Sequence, residues 1–335
     1  MEILTKVHAK KLVEWAIDKP EVVVLSADLT GSTEADLFQK AYPNRFFSMG
    51  IAEQNMLSFA GGMAREGFVP LIHTFAVFIY RRAYDQIAMS VAYPNLPVKM
   101  FGFLPGILTP GGATHQAIED ISVMRSLPNM TVLEVGDATD AESVLDVAYQ
   151  VPGPVYVRTL RGELPRLFDK TEPMVFNQAR LLSKGEDLAL FTSGICTEEA
   201  RKVVEALKAK GLTIEHLHVS TLKPFTDHQV VEALEKARYG AITLENHSII
   251  GGLGTAVAEV IAEKGLPRRL VKMGIMDRFL HGASRPTLSR ENRMNGMALV
   301  QEIEKLTRKQ FGVTEEELGS VHLTPVHSES KAEAL

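Results

Sequence analysis

Four short stretches hold side chains able to do chemistry. In Gly50-Ile51-Ala52-Glu53-Gln54-Asn55-Met56 a glycine precedes a predicted helix, and Glu53 falls in its first turn. An acid there complements the positive end of the helix. If buried, the same carboxylate can share a proton with a ligand nitrogen. In Thr74-Phe75-Ala76-Val77-Phe78-Ile79-Tyr80-Arg81 a spacing of three brings the two phenylalanines together if the segment turns helically. They are either a core pair beside a solvated Arg81, or an aromatic slot for a flat heterocycle with Arg81 aimed at an anion. Gly111-Gly112-Ala113-Thr114-His115-Gln116-Ala117-Ile118-Glu119-Asp120 lets the backbone approach closely and then places His115 at an expected helix start. His115 is a structural histidine, a positioned acid or base, or half of a His115–Glu119 metal pair that lacks a third ligand. The fourth stretch, Gly251-Gly252-Leu253-Gly254, follows a strand and opens a helix. Val257 stands where a dinucleotide fingerprint needs its last glycine, so the motif reads as close strand-to-helix packing. Lys10, Arg158 and Arg161 read as surface charges by default, although Arg161 follows a predicted strand end, where α/β sites gather.

These residues need elements to position them. Helical patterns cover Thr5–Asp18, Ala52–Arg65, Tyr80–Ala92, Gln116–Arg125 and Ala138–Tyr149. Strand-like runs separate them: Val22–Leu25, Phe68–Ile72, Val98–Phe101, Thr131–Val135 and Val155–Val157. The alternation predicts an α/β fold with mostly parallel sheets flanked by helices. It breaks around Arg161–Gln178, where Pro165 and Pro173 interrupt any period, and then resumes. The expected organisation is a first domain over 1–165, a linker over 166–180, a second α/β domain over 181–312 and a polar tail over 313–335. In the second half Thr213–Val219 reads as one strand, followed by a helix from Asp227.

Composition narrows the function. The 335 residues, at ~150 per domain, suit two domains. Hydrophobic residues make up 45% and charged residues 23%, a globular balance rather than a disordered one. A net charge of −5 argues against a nucleic-acid partner, which favours a basic surface. The single Cys196 excludes an internal disulfide framework and a multi-cysteine zinc site, and fits a reducing, cytoplasmic setting. Glu2 and Lys6 interrupt any apolar leader, and no run is suited to span a membrane.

Taken in order, Ser26-Ala-Asp-Leu-Thr, Gly50-Ile-Ala-Glu-Gln-Asn-Met, Ala113-Thr-His-Gln-Ala-Ile-Glu and Glu245-Asn-His-Ser-Ile-Ile-Gly-Gly-Leu-Gly resemble the thiamine-diphosphate enzymes of the transketolase family, from about Lys10 to Asp277. The first three strings resemble its pyrimidine-binding domain and the last its C-terminal domain. The resemblance implies that Glu53 bonds N1′ of the cofactor's aminopyrimidine, favouring the imino tautomer that can deprotonate the thiazolium C2. It further implies that Phe75 and Phe78 hold the pyrimidine. Asp28 would lie beside the cofactor and a subunit contact, and His115 would contact substrate hydroxyls and move protons. Arg161 would take a substrate phosphate, and Lys10 a second one. Arg81, expected among the cofactor-binding residues, stands where transketolases have a tyrosine, as in the related 1-deoxyxylulose-5-phosphate synthases.

Two positions depart from the family pattern. Gly111 stands where a donor-contacting Asp is usual, and Phe103 where a second His is expected. The family also binds the diphosphate and Mg²⁺ through a Gly-Asp-Gly segment and a later Asn, and no Gly-Asp-Gly occurs here. The resemblance therefore implies the C-terminal subunit of a split transketolase. An N-terminal partner chain would carry the diphosphate and Mg²⁺ site, the expected assembly is α2β2, and the substrates are sugar phosphates. The competing expectations are a β-chain of a 2-oxoacid dehydrogenase decarboxylase component and a non-catalytic scaffolding subunit of the same fold.

Overall fold

The computed structural model describes residues 2–320. Strand and helix alternate into two parallel-dominated sheets with helices between the strands. The larger sheet has the spatial order Thr221–Lys223, Thr131–Glu134, Val155–Thr159, Lys99–Phe103, Val69–Phe75, Val22–Ser26, Phe46–Ser48. All of its neighbours pair in parallel except the first two strands. Val22–Ser26, Lys99–Phe103 and Val155–Thr159 are buried along their whole length. A strand covered on both faces is largely apolar, so these runs show no alternation, and the charged exceptions Lys99 and Arg158 are buried with hydrogen-bond partners. Val22–Ser26 has Phe46–Ser48 on one side and Val69–Phe75 on the other. Connections diverge at that point, the position where α/β sheets gather binding sites beyond their C-terminal strand ends.

The second sheet has the order Leu270–Ile275, Ala241–Ser248, Leu188–Thr192, Ile214–His218, Arg180–Ser183, with only the last strand antiparallel. The expected single strand over Thr213–Val219 is Ile214–His218. The chain then crosses to the first sheet, where Thr221–Lys223 pairs antiparallel with Thr131–Glu134. Three residues carry no readable period, so this added edge strand was invisible in the sequence. The segment expected as a polar tail, 313–335, is helical over part of its length. Glu315–Ser320 is helical, and Val313 and Leu318 are buried as it packs near the helix Cys196–Ala209. The rest of that segment lies outside the described residues.

Arg158 corrects its default reading most sharply. It is fully buried, not a surface charge. Its Nε donates to Asp120 Oδ2 at 2.8 Å and its Nη1 to Glu134. Its Nη2 donates to the Asn246 carbonyl at 2.9 Å and the Ala117 carbonyl at 3.3 Å. Tyr156 donates its hydroxyl to the same Asp120 oxygen at 2.7 Å. The Asn246 side chain completes the tie: Nδ2 donates to the Pro105 carbonyl at 3.0 Å, and Oδ1 accepts from Ile107 N at 2.9 Å. Gly106, at φ +59°, is a glycine by necessity, since a Cβ would lie 2.1 Å from Asn246 Oδ1.

A second buried feature joins the helix Val7–Trp15 to the strand Val69–Phe75. His8 and His73 share a hydrogen bond between their Nε2 atoms at 2.8 Å and pack against Phe101 and Phe103. One ring donates and the other accepts, which keeps at least one of them neutral. Burial lowers both, His73 to about 4 and His8 well below its ordinary value.

Two predictions follow from this packing. Arg158→Met leaves Asp120 and Glu134 as buried, uncompensated carboxylates, and should cost about 3–5 kcal/mol in urea unfolding. For the histidines, the unfolded chain takes up protons near pH 6.5 while the folded chain resists until about 4. Their share of stability is therefore present above about pH 6.5 and is lost as pH falls through that window. The fall in urea midpoint on acidification should be smaller in His8→Leu/His73→Phe than in the parent.

Candidate active site

The strand ends of the larger sheet collect the residues singled out above. Phe46–Ser48 is followed by Gly50 at φ +68°, a left-handed turn that glycine adopts without strain. The chain then enters the helix Glu53–Arg65 at its first residue. Glu53 is only 3% exposed, and its Oε1 accepts a hydrogen bond from Arg82 Nη1 at 2.7 Å. An open groove of about 610 Å³, lined by Ile51, Ala52, Glu53, Gln54, Asn55 and Arg82, lies in front of it.

Val69–Phe75 passes directly into the helix Ala76–Gln86, four residues earlier than expected. The helix is kinked at Ala83 and continues as a π-helical turn over Ile87–Ala92. Phe75 ends the strand and Phe78 lies in the first helical turn. Their rings stack with centroids 5.8 Å apart and planes 25° apart. His115 meets Phe78 edge-on at 5.5 Å, and the Arg82 guanidinium carbon sits 4.0 Å from the Phe78 centroid. Glu53, Arg82, Phe78, His115 and Phe75 thus form one continuous set of contacts.

His115 does not start a helix, contrary to expectation. It follows a 3₁₀ turn over Gly112–Thr114, and the helix begins only at Asp120. The reason is that backbone carbonyls in between have other partners. Gln116 O accepts from Arg81, Ala117 O from Gly106 N and Arg158, and Ile118 O from Ser248 N. Thr114 Oγ1 hydrogen-bonds His115 Nδ1 at 2.9 Å, which orients the ring. Arg81 is likewise not aimed at an external anion. It holds Glu119 through two bonds of 2.9 Å and the Ala113 carbonyl at 2.7 Å, so it clamps the loop that carries His115. That pairing also takes Glu119 away from any metal pair with His115. Among the described residues no cluster of three or more His, Cys, Asp or Glu is placed to hold a metal ion.

Arg161 follows the strand Val155–Thr159, half-buried. It donates to the Ser32 carbonyl at 3.0 Å and lies 5.7 Å from the Phe75 ring centroid. Asp28 stands exposed just beyond Val22–Ser26 at φ +59°, and Lys10 is exposed on the helix Val7–Trp15. Neither is joined to the contact set by a hydrogen bond or ion pair among the described residues. Phe103 is fully buried at the end of its strand against His8 and His73, and Gly111 is half-buried. The Gly251–Gly254 stretch packs as read: a Cβ on Gly252 would lie 2.0 Å from Glu245. Glu245 caps the helix Leu253–Glu263 through Leu253 N and Gly254 N at 2.7 and 2.8 Å, and burial pushes its carboxyl up to about 8. Burial also pushes the Cys196 thiol up.

Sequence reasoning missed Arg82, Glu34 and Asn246. Glu34 is buried and accepts from Gly162 N at 2.8 Å, bracing the Arg161 turn. Arg82 was legible in principle, since it falls four residues after Phe78, on the same helical face.

Comparison with known proteins decides the lineage. Residues 4–166 match the transketolase pyrimidine-binding domain and residues 177–295 the transketolase C-terminal domain. The chain belongs to the transketolase family. A provisionally named transketolase C-terminal section from Methanocaldococcus jannaschii is 36% identical, with 92% of this chain and 97% of that protein aligned. The 6-deoxy-6-sulfo-D-fructose transketolase subunit SqwH from Clostridium sp. is 37% identical over 82% of this chain and 85% of its own. A split-gene transketolase, solved as an inactive β4 tetramer, superposes with a TM-score of 0.82 at 37% identity, covering 90% of this chain and 97% of that one. The 1-deoxy-D-xylulose-5-phosphate synthase of Chlorobium phaeovibrioides is 33% identical over 89% of this chain, which spans only 47% of that enzyme. No helix among the described residues is long and apolar enough to cross a membrane.

In this transketolase-family chain the Arg81 clamp makes a specific prediction. Arg81→Met should speed amide hydrogen exchange across residues 113–119 by roughly tenfold or more, leaving the sheet strands protected.

Proposed function

We propose that this chain is the C-terminal subunit of a split, thiamine-diphosphate-dependent transketolase. It transfers a two-carbon ketol unit from a ketose phosphate to an aldose phosphate, together with an N-terminal partner chain. The observation that carries this reading is the contact set at the strand ends: a buried acid facing an open groove, linked through Arg82 to a flat aromatic face and an oriented histidine. Those residues fit the aminopyrimidine half of the cofactor. Glu53 offers a buried acceptor, and the planar guanidinium now bonded to it and lying over Phe78 marks a place for a flat donor group. Thiamine diphosphate, when bound, supplies the nucleophile for C–C cleavage and formation.

The chain's own residues do the rest. Glu53 would hold the proton shared with ring nitrogen N1′, and Phe75 and Phe78 would fix the ring plane. His115 would exchange protons with substrate hydroxyls, held in place by Thr114 and by the Arg81–Glu119 clamp. Arg81 thereby serves the site by positioning rather than by touching the cofactor. Arg161 would take the substrate phosphate with its planar fork, and Lys10 would add a second positive charge. Asp28, exposed beyond its strand, would lie beside the cofactor at a subunit contact.

The sequence lacks the Gly-Asp-Gly segment, so we assign Mg²⁺ and the diphosphate to the N-terminal partner, in an α2β2 assembly within a reducing cytoplasm. The expected domain division, 1–165 and 181–312 about a linker, puts these residues in the first unit. From the second unit, Asn246 fixes the approach to the His115 loop.

The test is a reconstituted pair of chains. Ketol transfer between sugar phosphates is expected. Release of CO₂ from 2-oxoacids without transfer would instead support the decarboxylase β-chain. Glu53→Gln should lower turnover by about 10²–10⁴-fold. Unchanged turnover in that variant would favour a scaffolding subunit.

A further inference from the structure

Glu53 and Arg82 are unequal partners. The acid is 3% exposed and fixed at the start of a helix, whereas the Arg82 side chain is 44% exposed at the edge of the groove. A buried carboxylate without a partner is costly, so something must donate to it in every state of the chain. Arg82 meets that need with Nη1 at 2.7 Å. The same guanidinium lies over Phe78, with its carbon 4.0 Å from the ring centroid, at van der Waals distance. A planar, cationic, N–H-donating group therefore bridges one carboxylate and one aromatic ring. A protonated aminopyrimidine has that shape, charge and donor pattern. The two cannot share the Glu53 oxygen and the covered face of Phe78 at once.

We propose that Arg82 is a built-in stand-in for the aminopyrimidine. It satisfies Glu53 and covers Phe78 in the unloaded chain, and it must swing into the groove before thiamine diphosphate can seat. This rests on the reading of Glu53 and Phe78 as the pyrimidine site. Cofactor binding is then an exchange of one planar donor for another. Glu53 is never left unpaired, and the closed form withholds part of the affinity. If Arg82 is in place nine-tenths of the time, the apparent affinity is reduced roughly tenfold. The long, half-exposed side chain has open space to enter, since the groove of about 610 Å³ borders it.

Equilibrium titration of thiamine diphosphate, with Mg²⁺, into this chain assembled with its N-terminal partner tests the exchange. Arg82→Ala and Arg82→Met remove the competitor and should tighten the dissociation constant roughly tenfold. Arg82→Lys keeps the charge but loses the flat face, and should fall between them and the parent. Equal or weaker binding by both Ala and Met variants, with the parent binding normally, overturns the stand-in and leaves the cofactor assignment intact. Absence of binding in the parent and every variant overturns the cofactor assignment, and the stand-in with it.

Discussion

The arrangement depends on one buried guanidinium. Arg158 is fully buried, where Asp120, Glu134, the Ala117 carbonyl and the Asn246 carbonyl converge. A full charge removed from water must be met on all sides, or it cannot be buried at all. That demand registers elements far apart in the chain: a strand of the first sheet, the helix that follows the His115 loop, and a strand of the second sheet. Such a network adds little net stability over an apolar core. Any arrangement that strips away one of these partners leaves a buried charge uncompensated.

The constraint propagates to the site. Because Ala117 gives its carbonyl to Arg158 and Gly106, it cannot open a helix. Asn246 holds the turn at Gly106 from the other half of the molecule. Arg81 closes the loop from the opposite side through Glu119 and two carbonyls. His115 therefore hangs at the edge of Phe78, rather than pointing from a helix face. Precise placement here comes from many backbone carbonyls with assigned partners, on a loop with almost no regular structure of its own.

Much of this was legible in the sequence. Parallel strands covered on both faces produced apolar runs such as Val22–Leu25 and Val155–Val157, and their alternation with helices gave the α/β class. Phe75 and Phe78 were readable as a pair because a spacing of three closes on itself in a helical turn. What was not legible has a common cause. Arg158 and Arg161 are identical in type and three residues apart, yet one is sealed in the core and the other is half-buried beside the Phe75 ring. The added strand Thr221–Lys223 is too short to carry a period, and the partners of residues 116–118 come from distant segments.

By itself, then, the sequence determined the secondary elements, the ordered motifs of the transketolase family and the set of residues that lie beyond strand ends. These follow from local periodicity, turn chemistry and strand-to-helix order. Only the tertiary structure decided which charges are buried, that Arg81 grips its own loop, and that Arg82 reaches Glu53 across Phe78. Those outcomes depend on which carboxylate or carbonyl lies within about 3 Å once the chain has packed. For a charged side chain, that neighbour decides between solvent, structure and site.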